Sequence, residues 1–377
     1  MKKKLLINAA NLHFGGAVQV ATSFIQELIE IIIDTPKDYE INVVVSSEVD
    51  LNLRKLDLKL SSLNSYVVHD IYGLKAAFIM NKNLFQKFDV SFSVFGPNYF
   101  NMKSKYSICG FAQPWIIYPN NSVYGNLSII DKIKTKLKFW VQWYFYKKNN
   151  VLIVELPHVK TSLIDKKGFN PNSVAVVENC FSSIYDKSEL WDEIKWPIDN
   201  TNFTLGFIGR AYPHKNLIVL NEVNKILLKK YNLNLNFIFT LEESEFNELG
   251  FNHQRNFYTC GTITTSQCPN FYKKIDGLIF PSLLECFSAT PVEAMKMKVP
   301  VFASERPFIR DCCDAHAIYF DPLSPDSIAE LIYKNHNKDL DLTKMAGKAY
   351  EHVNHLPTAK DRAKKYLNLI ETKLDIS

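Results

Sequence analysis

The feature that most constrains the fold is residues 276–303, where two apolar runs flank a loop and the start of a helix. The first run ends at Pro281 and the second starts at Val299, and both are typical of buried parallel strands. Between them, a Thr-Pro pair predicts a helix N-terminus with Thr290 as the N-cap and Glu293 completing a capping box. A strand, a loop, a helix and a second strand form the repeating unit of a parallel α/β sheet, whose ligands bind outside the carboxyl ends of the strands.

The same stretch carries two carboxylates that have different explanations. Glu293 has a structural explanation, because it closes the predicted capping box. Glu285 lies in the loop after the strand, where it has no cap to make, and taken alone it is read as a solvated loop side chain. The first amides of the following helix are unpaired and partly positive, so this end of the helix favours an anionic ligand.

The rest of the chain alternates short apolar runs with helical patterns, which predicts a doubly wound α/β sheet. Its 377 residues are enough for two domains of ordinary size. The remaining apolar runs predict strands at 4–8, 41–45, 65–68, 90–95, 106–111, 151–154, 174–177, 203–208 and 235–240. Helical patterns cover 17–33, 75–87, 131–148, 266–273, 324–334, 340–352 and 359–373.

Composition limits the class of protein. A chain with 47% hydrophobic and 22% charged residues is folded rather than disordered. The seven cysteines are scattered without zinc-site spacing, which indicates buried thiols in a reducing cytosol. The lysine-rich N-terminus is read as the start of a first strand rather than as a signal peptide, and we expect no window with the roughly 18 apolar residues of a transmembrane helix.

Positive charge is concentrated in the first half of the chain. Residues 1–190 hold 22 Lys and Arg against 16 Asp and Glu, whereas the remainder holds 22 against 23. Residues 131–148 contain six Lys and six aromatic residues with a single Asp, which is typical of a helix lying on an anionic membrane surface. The alternative is a helix that packs its aromatic residues inward. No RNA-binding module accompanies this segment, so we expect no nucleic-acid partner.

Two further loops invite a phosphate. Arg210 and Lys215 follow the strand 203–208 and precede a helix, where a planar fork and a point charge suit a phosphate ligand. Gly15 and Gly16 lie where the first strand meets a helix, and they permit either a tight turn or a close approach of the backbone to a phosphate. In isolation each of these features is equally consistent with an ordinary solvated loop.

Together the motifs resemble a known family. The stretch PSLLECFSATPVEAMKMKVPVFAS is similar to the Glu-x7-Glu signature of retaining nucleotide-sugar glycosyltransferases of group 1, which have the two-domain GT-B fold. Glu285, Phe287 and Glu293 fall where that family places them, while Cys286 and Ser288 replace its usual glycines. The loop with Arg210 and Lys215 resembles the family's Gly-Arg…Lys-Asn pattern, which grips the donor diphosphate.

The resemblance implies a domain organisation and a set of site residues. The implied segments are an acceptor-binding domain (1–185), a linker (186–201), a nucleotide-sugar domain (202–355) and a C-terminal helix (356–377) that returns to the first domain. Glu285 would orient the hexose, Glu293 would bind the ribose, and Arg210 and Lys215 would neutralise the leaving diphosphate. The other implied donor-binding residues are Gly15, Gly16, Gly261, Thr262, Ile263, Phe287, Ser288, Ala289 and Thr290. Gln113 stands where many relatives carry a His that touches the donor sugar, and it would bind the acceptor or a sugar hydroxyl.

The resemblance also implies a function. It predicts transfer of a hexose from a UDP- or GDP-sugar to a glycan, with retention of configuration and without a metal or another cofactor. We expect the acceptor to be a lipid-linked oligosaccharide of a bacterial surface polysaccharide, at the inner face of the cytoplasmic membrane. The Asp-x-Asp triplet at 339–341 falls in a predicted helix away from any strand end, so we do not expect it to hold a metal. A GT-B-fold epimerase and a non-catalytic nucleotide-sugar-binding protein remain as alternatives.

Overall fold

The computed structural model describes residues 2–74, 82–100, 102–336 and 342–376, and the chain divides into two α/β units. The first unit comprises Met1–Pro119, Leu127–Asn179 and Pro357–Ser377, and the second comprises Asn120–Asn126 and Cys180–Leu356. Residues 186–201, predicted as a linker, pack within the second unit, where the Trp196 ring meets Phe271 and the Asp192 amide donates to the Ser266 carbonyl oxygen.

The first unit is built on a parallel sheet with the strand order β3-β2-β1-β4-β5-β6-β7. Its strands are β1 (Lys4–Ala9), β2 (Glu40–Val45), β3 (Ser65–Val68), β4 (Gln86–Ser93), β5 (Lys103–Gly110), β6 (Val151–Val154) and β7 (Val174–Val176). Its helices are α1 (Gly16–Asp34), α2 (Ser47–Arg54), α3 (Pro114–Ile117), α4 (Ile129–Tyr146), α5 (Pro157–Lys167) and the C-terminal helix (Ala359–Ile376). Strand β1 lies between β2 and β4, so the chain reverses its direction of sheet growth after β3.

The second unit repeats this plan with the strand order β10-β9-β8-β11-β12-β13. Its strands are β8 (Thr204–Phe207), β9 (Asn236–Phe239), β10 (Phe257–Thr259), β11 (Gly277–Phe280), β12 (Val301–Ser304) and β13 (Ile318–Phe320). Its helices are α6 (Val219–Lys230), α7 (Glu243–Glu248), α8 (Cys268–Tyr272), α9 (Ala289–Lys296), α10 (Pro307–Cys313), α11 (Pro325–His336) and α12 (Leu342–Asn354). The C-terminal helix of the first unit, Ala359–Ile376, is therefore α13.

The central strands of both sheets are mostly buried and apolar, as parallel sheets covered by helices require, whereas the edge strand β3 has no buried residue. In the first unit, α1 and α13 pack side by side on one face of the sheet, and Phe24, Phe92 and Tyr366 form an aromatic cluster with centroid distances of 5.1–5.5 Å. Helix α1 is long and apolar enough to cross a membrane by length and composition, contrary to our expectation. Half of its most apolar window is buried within this unit, as in a core helix.

The structure corrects one predicted helix. Residues 75–81 of the predicted helix 75–87 lie outside the described residues, as does the triplet at 339–341. Within the described part, residues 82–85 form a single 3₁₀ turn, and 86–87 belong to β4. Strand β4 therefore starts four residues before the predicted 90–95, because its first residues pair with β5 and continue the sheet.

A buried arginine fastens α13 to its own unit. Arg362 donates hydrogen bonds to the Asn179 side-chain oxygen and, over 3.0 Å, to the Ser23 hydroxyl. Asn179 in turn donates to the Glu155 carboxylate over 2.6 Å. Burial raises the pKa of Glu155 to about 7, and the Arg362 charge opposes that rise. The network therefore depends on the arginine, because its removal leaves a buried carboxyl group without a cation.

We predict that Arg362→Ala lowers the free energy of unfolding by about 3–5 kcal/mol, the usual cost of removing one partner from a buried charged pair. Lys365→Ala, on the same helix, is the control: Lys365 pairs with Glu178 at the surface, and its loss should cost less than about 1 kcal/mol. Urea unfolding of both variants measures the difference. Equal destabilisation by the two substitutions would contradict this role of Arg362.

Candidate functional site

The centre of the candidate site is an ion pair between two loops of the second unit. Lys215 follows β8 and Glu285 follows β11, and these strands are neighbours with Leu205 opposite Gly277. The Lys215 Nζ donates to Glu285 Oε1 over 2.7 Å, with side chains only 13% and 10% exposed. The Lys215 ammonium also lies 5.0 Å from the centre of the Phe280 ring. Both side chains therefore sit where the order of the strands reverses, at the carboxyl ends that bind ligands in such sheets.

Hydrogen bonds fix the two loops against each other. The Leu283 amide donates to the His214 carbonyl oxygen over 2.7 Å, and the Ser282 hydroxyl is 2.7 Å from the Glu285 carboxylate. Burial lowers the pKa of His214 to about 4, with a further contribution from Lys215, so the ring is neutral at neutral pH. His214 thus contributes its backbone to the loop structure and brings no charge to the site.

Arg210 lies in the same loop as Lys215 and is more accessible. Its Nε donates to Glu245 Oε1 over 2.9 Å, and the Ala211 amide donates to the same oxygen over 3.2 Å. The bond to Glu245 raises the pKa of Arg210 above its ordinary value. The Arg210 side chain is 54% exposed, so a second anion can reach the guanidinium. Glu245 lies in the first turn of α7, after the neighbouring strand β9, and orients the guanidinium.

Glu293 occupies a different environment from Glu285. It is half-buried on α9, and the Tyr272 hydroxyl donates to its Oε2 over 3.3 Å. Burial raises the pKa of Glu293 to about 7, and hydroxyl groups of Tyr185 and Tyr272 oppose that rise. Tyr272 belongs to α8, so Glu293 faces the segment that follows the loop with Gly261.

The predicted capping box is wrong. Helix α9 starts at Ala289 with Ser288 as the N-cap, two residues earlier than predicted, so Glu293 is the fifth helical residue and cannot reach the N-cap amide. Its carboxylate turns to Tyr272, whose hydroxyl also donates to the Thr290 carbonyl oxygen over 3.0 Å. In the described part of the chain, the Ser288 side chain makes no hydrogen bond to the helix amides. The backbone of Ser288 is extended, and the helical conformation begins at Ala289.

The loop with Gly261, Thr262 and Ile263, which the sequence resemblance assigns to donor binding, lies at the same edge of this sheet. Gly261 follows β10 with a φ of 75°, a conformation that favours glycine, and its amide donates to the Thr259 hydroxyl oxygen over 3.1 Å. Thr262 is exposed and Ile263 is half-buried. Since β10 is two strands from β8, this loop starts roughly 10 Å from the Arg210 loop. Phe287, Ala289 and Thr290 are half-buried and Ser288 is buried, next to Glu285 in the chain.

Gln113 and the Gly15-Gly16 pair belong to the first unit. Gln113 lines a cavity of about 240 Å³, together with Asn11, His13, Tyr72 and Tyr99. Gly15 and Gly16 are exposed at the start of α1, and Gly15 is the N-cap with a φ of 66°. The cavity lies at the carboxyl ends of β1, β4 and β5, where this sheet also reverses its strand order.

This first-unit cavity is rich in aromatic side chains. The His13 and Tyr72 rings stack with centroids 3.9 Å apart, and the His13 Nε2 lies 2.9 Å from the Ile71 carbonyl oxygen. The Asn11 side chain donates to the Phe95 carbonyl oxygen over 2.9 Å and joins the loops after β1 and β4. Aromatic faces with a few polar groups suit a ligand that has both apolar and hydroxyl-bearing faces.

Several residues of both sites were not among those predicted from the sequence. In the second unit these are Glu245, Tyr185, Tyr272 and Ser282, and in the first unit Asn11, His13 and Tyr72. Ser282 could have been found, since it lies beside Glu285 at a strand end. The others meet their partners only through the fold. Among the described residues, no three His, Cys, Asp or Glu side chains are grouped so as to hold a metal ion.

Comparison with known proteins identifies relatives. Residues 192–352 match the sequence model of the family described as glycosyl transferases group 1. The O-antigen chain mannosyltransferase RfbU of Salmonella typhimurium is 24% identical over 189 residues, which are 48% of this chain and 51% of that protein. The chain therefore spans about half the length of this curated relative in the match.

Solved structures match over the whole chain. A glycosyltransferase from Rickettsia africae is 14% identical with a TM-score of 0.70, and the match covers 100% of both chains. HepE of Anabaena, solved in complex with UDP and glucose, is 12% identical with a TM-score of 0.65 over 98% of this chain and 100% of its own. These similarities confirm the predicted GT-B fold of two parallel α/β domains.

We predict that Glu293→Gln stabilises the protein progressively as the pH rises from 5 to 8. The folded carboxyl group has a pKa near 7 instead of 4.5, so in this range the folded protein holds a proton that the unfolded chain has lost. The free energy of unfolding of the wild type therefore falls by roughly 2 kcal/mol as the pH rises. The variant has no carboxyl group at this position, so it does not undergo this loss. The raised pKa of Glu155 is common to both proteins and cancels in the comparison.

Urea unfolding of the wild type and the variant at several pH values measures this difference. Glu248→Gln, an exposed position on α7, is the control and should shift stability by the same small amount at every pH. A stability difference for Glu293→Gln that does not change with pH would contradict the burial of this carboxyl group.

Proposed function

We propose that this chain, whose residues 192–352 match the group 1 glycosyltransferase model, transfers a hexose from a nucleotide-sugar to a glycan acceptor. The observation that carries the proposal is the pairing of Lys215 with Glu285 beside Arg210, at the ends of neighbouring strands. This arrangement offers cations for a diphosphate and a fixed carboxylate for sugar hydroxyls within one set of loops. HepE, which shares the fold, was solved with UDP and glucose, and this supports a nucleotide-sugar donor.

In the proposed donor complex, Arg210 and Lys215 bind the diphosphate. Arg210 can accept a phosphate through its exposed guanidinium while Glu245 keeps its orientation. Lys215 neutralises the leaving group from the ion pair with Glu285, whose carboxylate binds hydroxyl groups of the hexose. The amides of Ala289 and Thr290, at the start of α9, add partial positive charge near the same loop.

The nucleoside end of the donor is proposed to lie toward β10. The backbone of Gly261, Thr262 and Ile263 would contact the base, and Glu293 would accept hydrogen bonds from the ribose hydroxyls. The spacing of roughly 10 Å between the Gly261 and Arg210 loops suits the distance from a base to a diphosphate. Phe287 would contact the hexose beside Glu285.

We propose a metal-independent reaction that retains the anomeric configuration. The bond from the anomeric carbon to the diphosphate breaks, and the acceptor oxygen forms its bond on the same face. The acceptor proton passes to an oxygen of the leaving phosphate, so no protein nucleophile is needed. Fixed cations then stabilise the departing charge electrostatically, in the role that a metal ion has in other glycosyltransferases.

The first unit is proposed to bind the acceptor in the cavity beside Gln113. The His13–Tyr72 stack offers an apolar surface to one face of a sugar ring, while Asn11 and Gln113 offer amides to its hydroxyl groups. The similarity to an O-antigen chain mannosyltransferase supports an acceptor from bacterial surface polysaccharide synthesis. Five of the seven cysteines are buried, which is consistent with thiols in a reducing cytoplasmic location.

We predict that Arg210→Ala lowers the rate of nucleotide release from a UDP- or GDP-sugar by roughly 100-fold while the protein remains folded. The substitution removes a half-exposed charge, so it avoids the unpaired buried carboxylate that a change at Lys215 would leave. Initial rates with the best donor of a nucleotide-sugar panel, together with a melting curve, provide the measurement.

Arg54→Ala is the matched control, because Arg54 also donates from its Nε to a carboxylate, that of Asp50, and this pair belongs to the first unit. It should retain activity close to that of the wild type. An Arg210→Ala enzyme as active as Arg54→Ala would refute the assignment of Arg210 to the diphosphate.

We predict that Tyr72→Ala lowers kcat/KM for the acceptor about tenfold, because it removes one aromatic face of the cavity. Protection against melting by UDP or GDP should stay at the wild-type level. Tyr231→Ala, which breaks another aromatic stack, with Tyr333 in the second unit, is the control. Unchanged acceptor kinetics in Tyr72→Ala would show that the acceptor binds elsewhere.

A further inference from the structure

Helix α4 carries an exposed apolar stripe along its whole length. Its outward side chains follow spacings of three and four residues and are 50–76% exposed. They are Ile129, Ile130, Ile133, Leu137, Trp140 and Tyr144. Among the other described helices, each has at most one large apolar side chain this exposed. A contiguous stripe of this kind marks an interaction surface rather than ordinary surface scatter.

Lysines border this stripe. At 3.6 residues per turn, Lys134 and Lys136 project on opposite sides of it, and Lys147 and Lys148 follow its C-terminal end. The only acidic residue of the helix is Asp131 in the first turn, where it also accepts a hydrogen bond from Ser128. An apolar stripe with a Trp and a Tyr between two sets of lysines matches the anionic surface of a bilayer in both charge and polarity.

The opposite face of α4 packs on the first unit. Gln142 and Tyr146 are buried, and the Phe139 ring stacks on Trp115 with centroids 5.6 Å apart. The aromatic residues of α4 therefore form two groups. Phe139 and Tyr146 pack inward, as the alternative prediction for this segment expects, whereas Trp140 and Tyr144 face outward. The stripe is consequently held rigidly on the unit and is not a mobile arm.

The inner face also supports the cavity proposed for the acceptor. Gln142 donates a hydrogen bond to the Tyr99 hydroxyl over 3.0 Å, and the Phe145 ring lies 5.3 Å from the Tyr99 ring, edge to face. Tyr99 lines the cavity. One helix thus joins the exposed stripe to a wall of the cavity, with a single layer of side chains between them.

We propose that the stripe of α4 inserts into the anionic leaflet of a membrane and that the cavity behind it receives a sugar carried on a lipid. The part concerning the acceptor rests on the proposed function, whereas membrane docking stands on the stripe and its lysines alone. Docking would hold the cavity within one helix diameter of the lipid surface, which a sugar attached to a membrane lipid requires.

Vesicle flotation with the full chain tests this proposal. The wild type should float with vesicles of phosphatidylethanolamine and phosphatidylglycerol and should stay unbound with phosphatidylcholine alone. On the anionic vesicles, Leu137→Ser with Trp140→Ser should reduce the bound fraction about tenfold, and Lys134→Glu with Lys136→Glu should reduce it similarly. Leu228→Ser, an exposed leucine on α6, is the control and should float like the wild type.

Two further measurements separate the possible failures. A wild type that ignores anionic vesicles, or stripe variants that still float, would overturn membrane docking. A stripe that instead joins two copies of the chain would appear in light scattering as a dimer that the serine variants convert to a monomer, and this also overturns the proposal. Protection of every variant against melting by UDP or GDP reports on the donor site, so loss of the proposed function would be recognised independently of vesicle binding.

Discussion

The ion pair between Lys215 and Glu285 is the interaction on which the second unit's site depends. Each side chain is nearly buried, and a buried charge without a partner costs several kcal/mol, so neither loop conformation is stable without the other. The pair joins the loop after β8 to the loop after β11 and holds a cation and a carboxylate side by side. Arg210 can then remain exposed, because Glu245 and the loop fix its position from one side.

This arrangement follows from the order of the strands rather than from the particular side chains. In each sheet the chain first adds strands on one side of its first strand and then crosses to the other side. The loops at that reversal diverge and leave room for a ligand at the carboxyl ends of the strands. In the first unit, buried side-chain amides stabilise the point where the strand order reverses. The Asn8 side chain, at the end of β1, donates to the Ser93 hydroxyl over 3.1 Å and to the Asn98 side-chain oxygen over 3.2 Å. One unit thus places charges at the reversal and the other places amides and aromatic rings.

The sequence was sufficient for most strands and for the motif residues, since both depend on local patterns. Apolar runs gave β1, β2, β3, β6 and β8 to within about a residue of their observed bounds. Thr290 was misassigned because Ser and Thr are both favoured N-cap residues, and the sequence does not show which of the two precedes the helix. The partners Glu245 and Tyr272 could not be predicted, because each comes from a separate segment that meets its partner only after the sheet has formed. The same holds for Tyr72, because it follows β3, whereas its partner His13 follows β1, two strands away in the sheet.

The two carboxylates of the Glu-x7-Glu motif show why residue identity alone does not define a role. Glu285 contacts an ammonium at 2.7 Å and a serine hydroxyl, and these two bonds fix the position of its carboxylate. Glu293 faces two phenols in a less polar environment, and its pKa near 7 means that a modest change around it alters its charge. In the proposed donor complex, ribose hydroxyls that donate to Glu293 would favour its ionised form. The motif would then combine a carboxylate that is fixed in advance with one whose charge responds to the ligand.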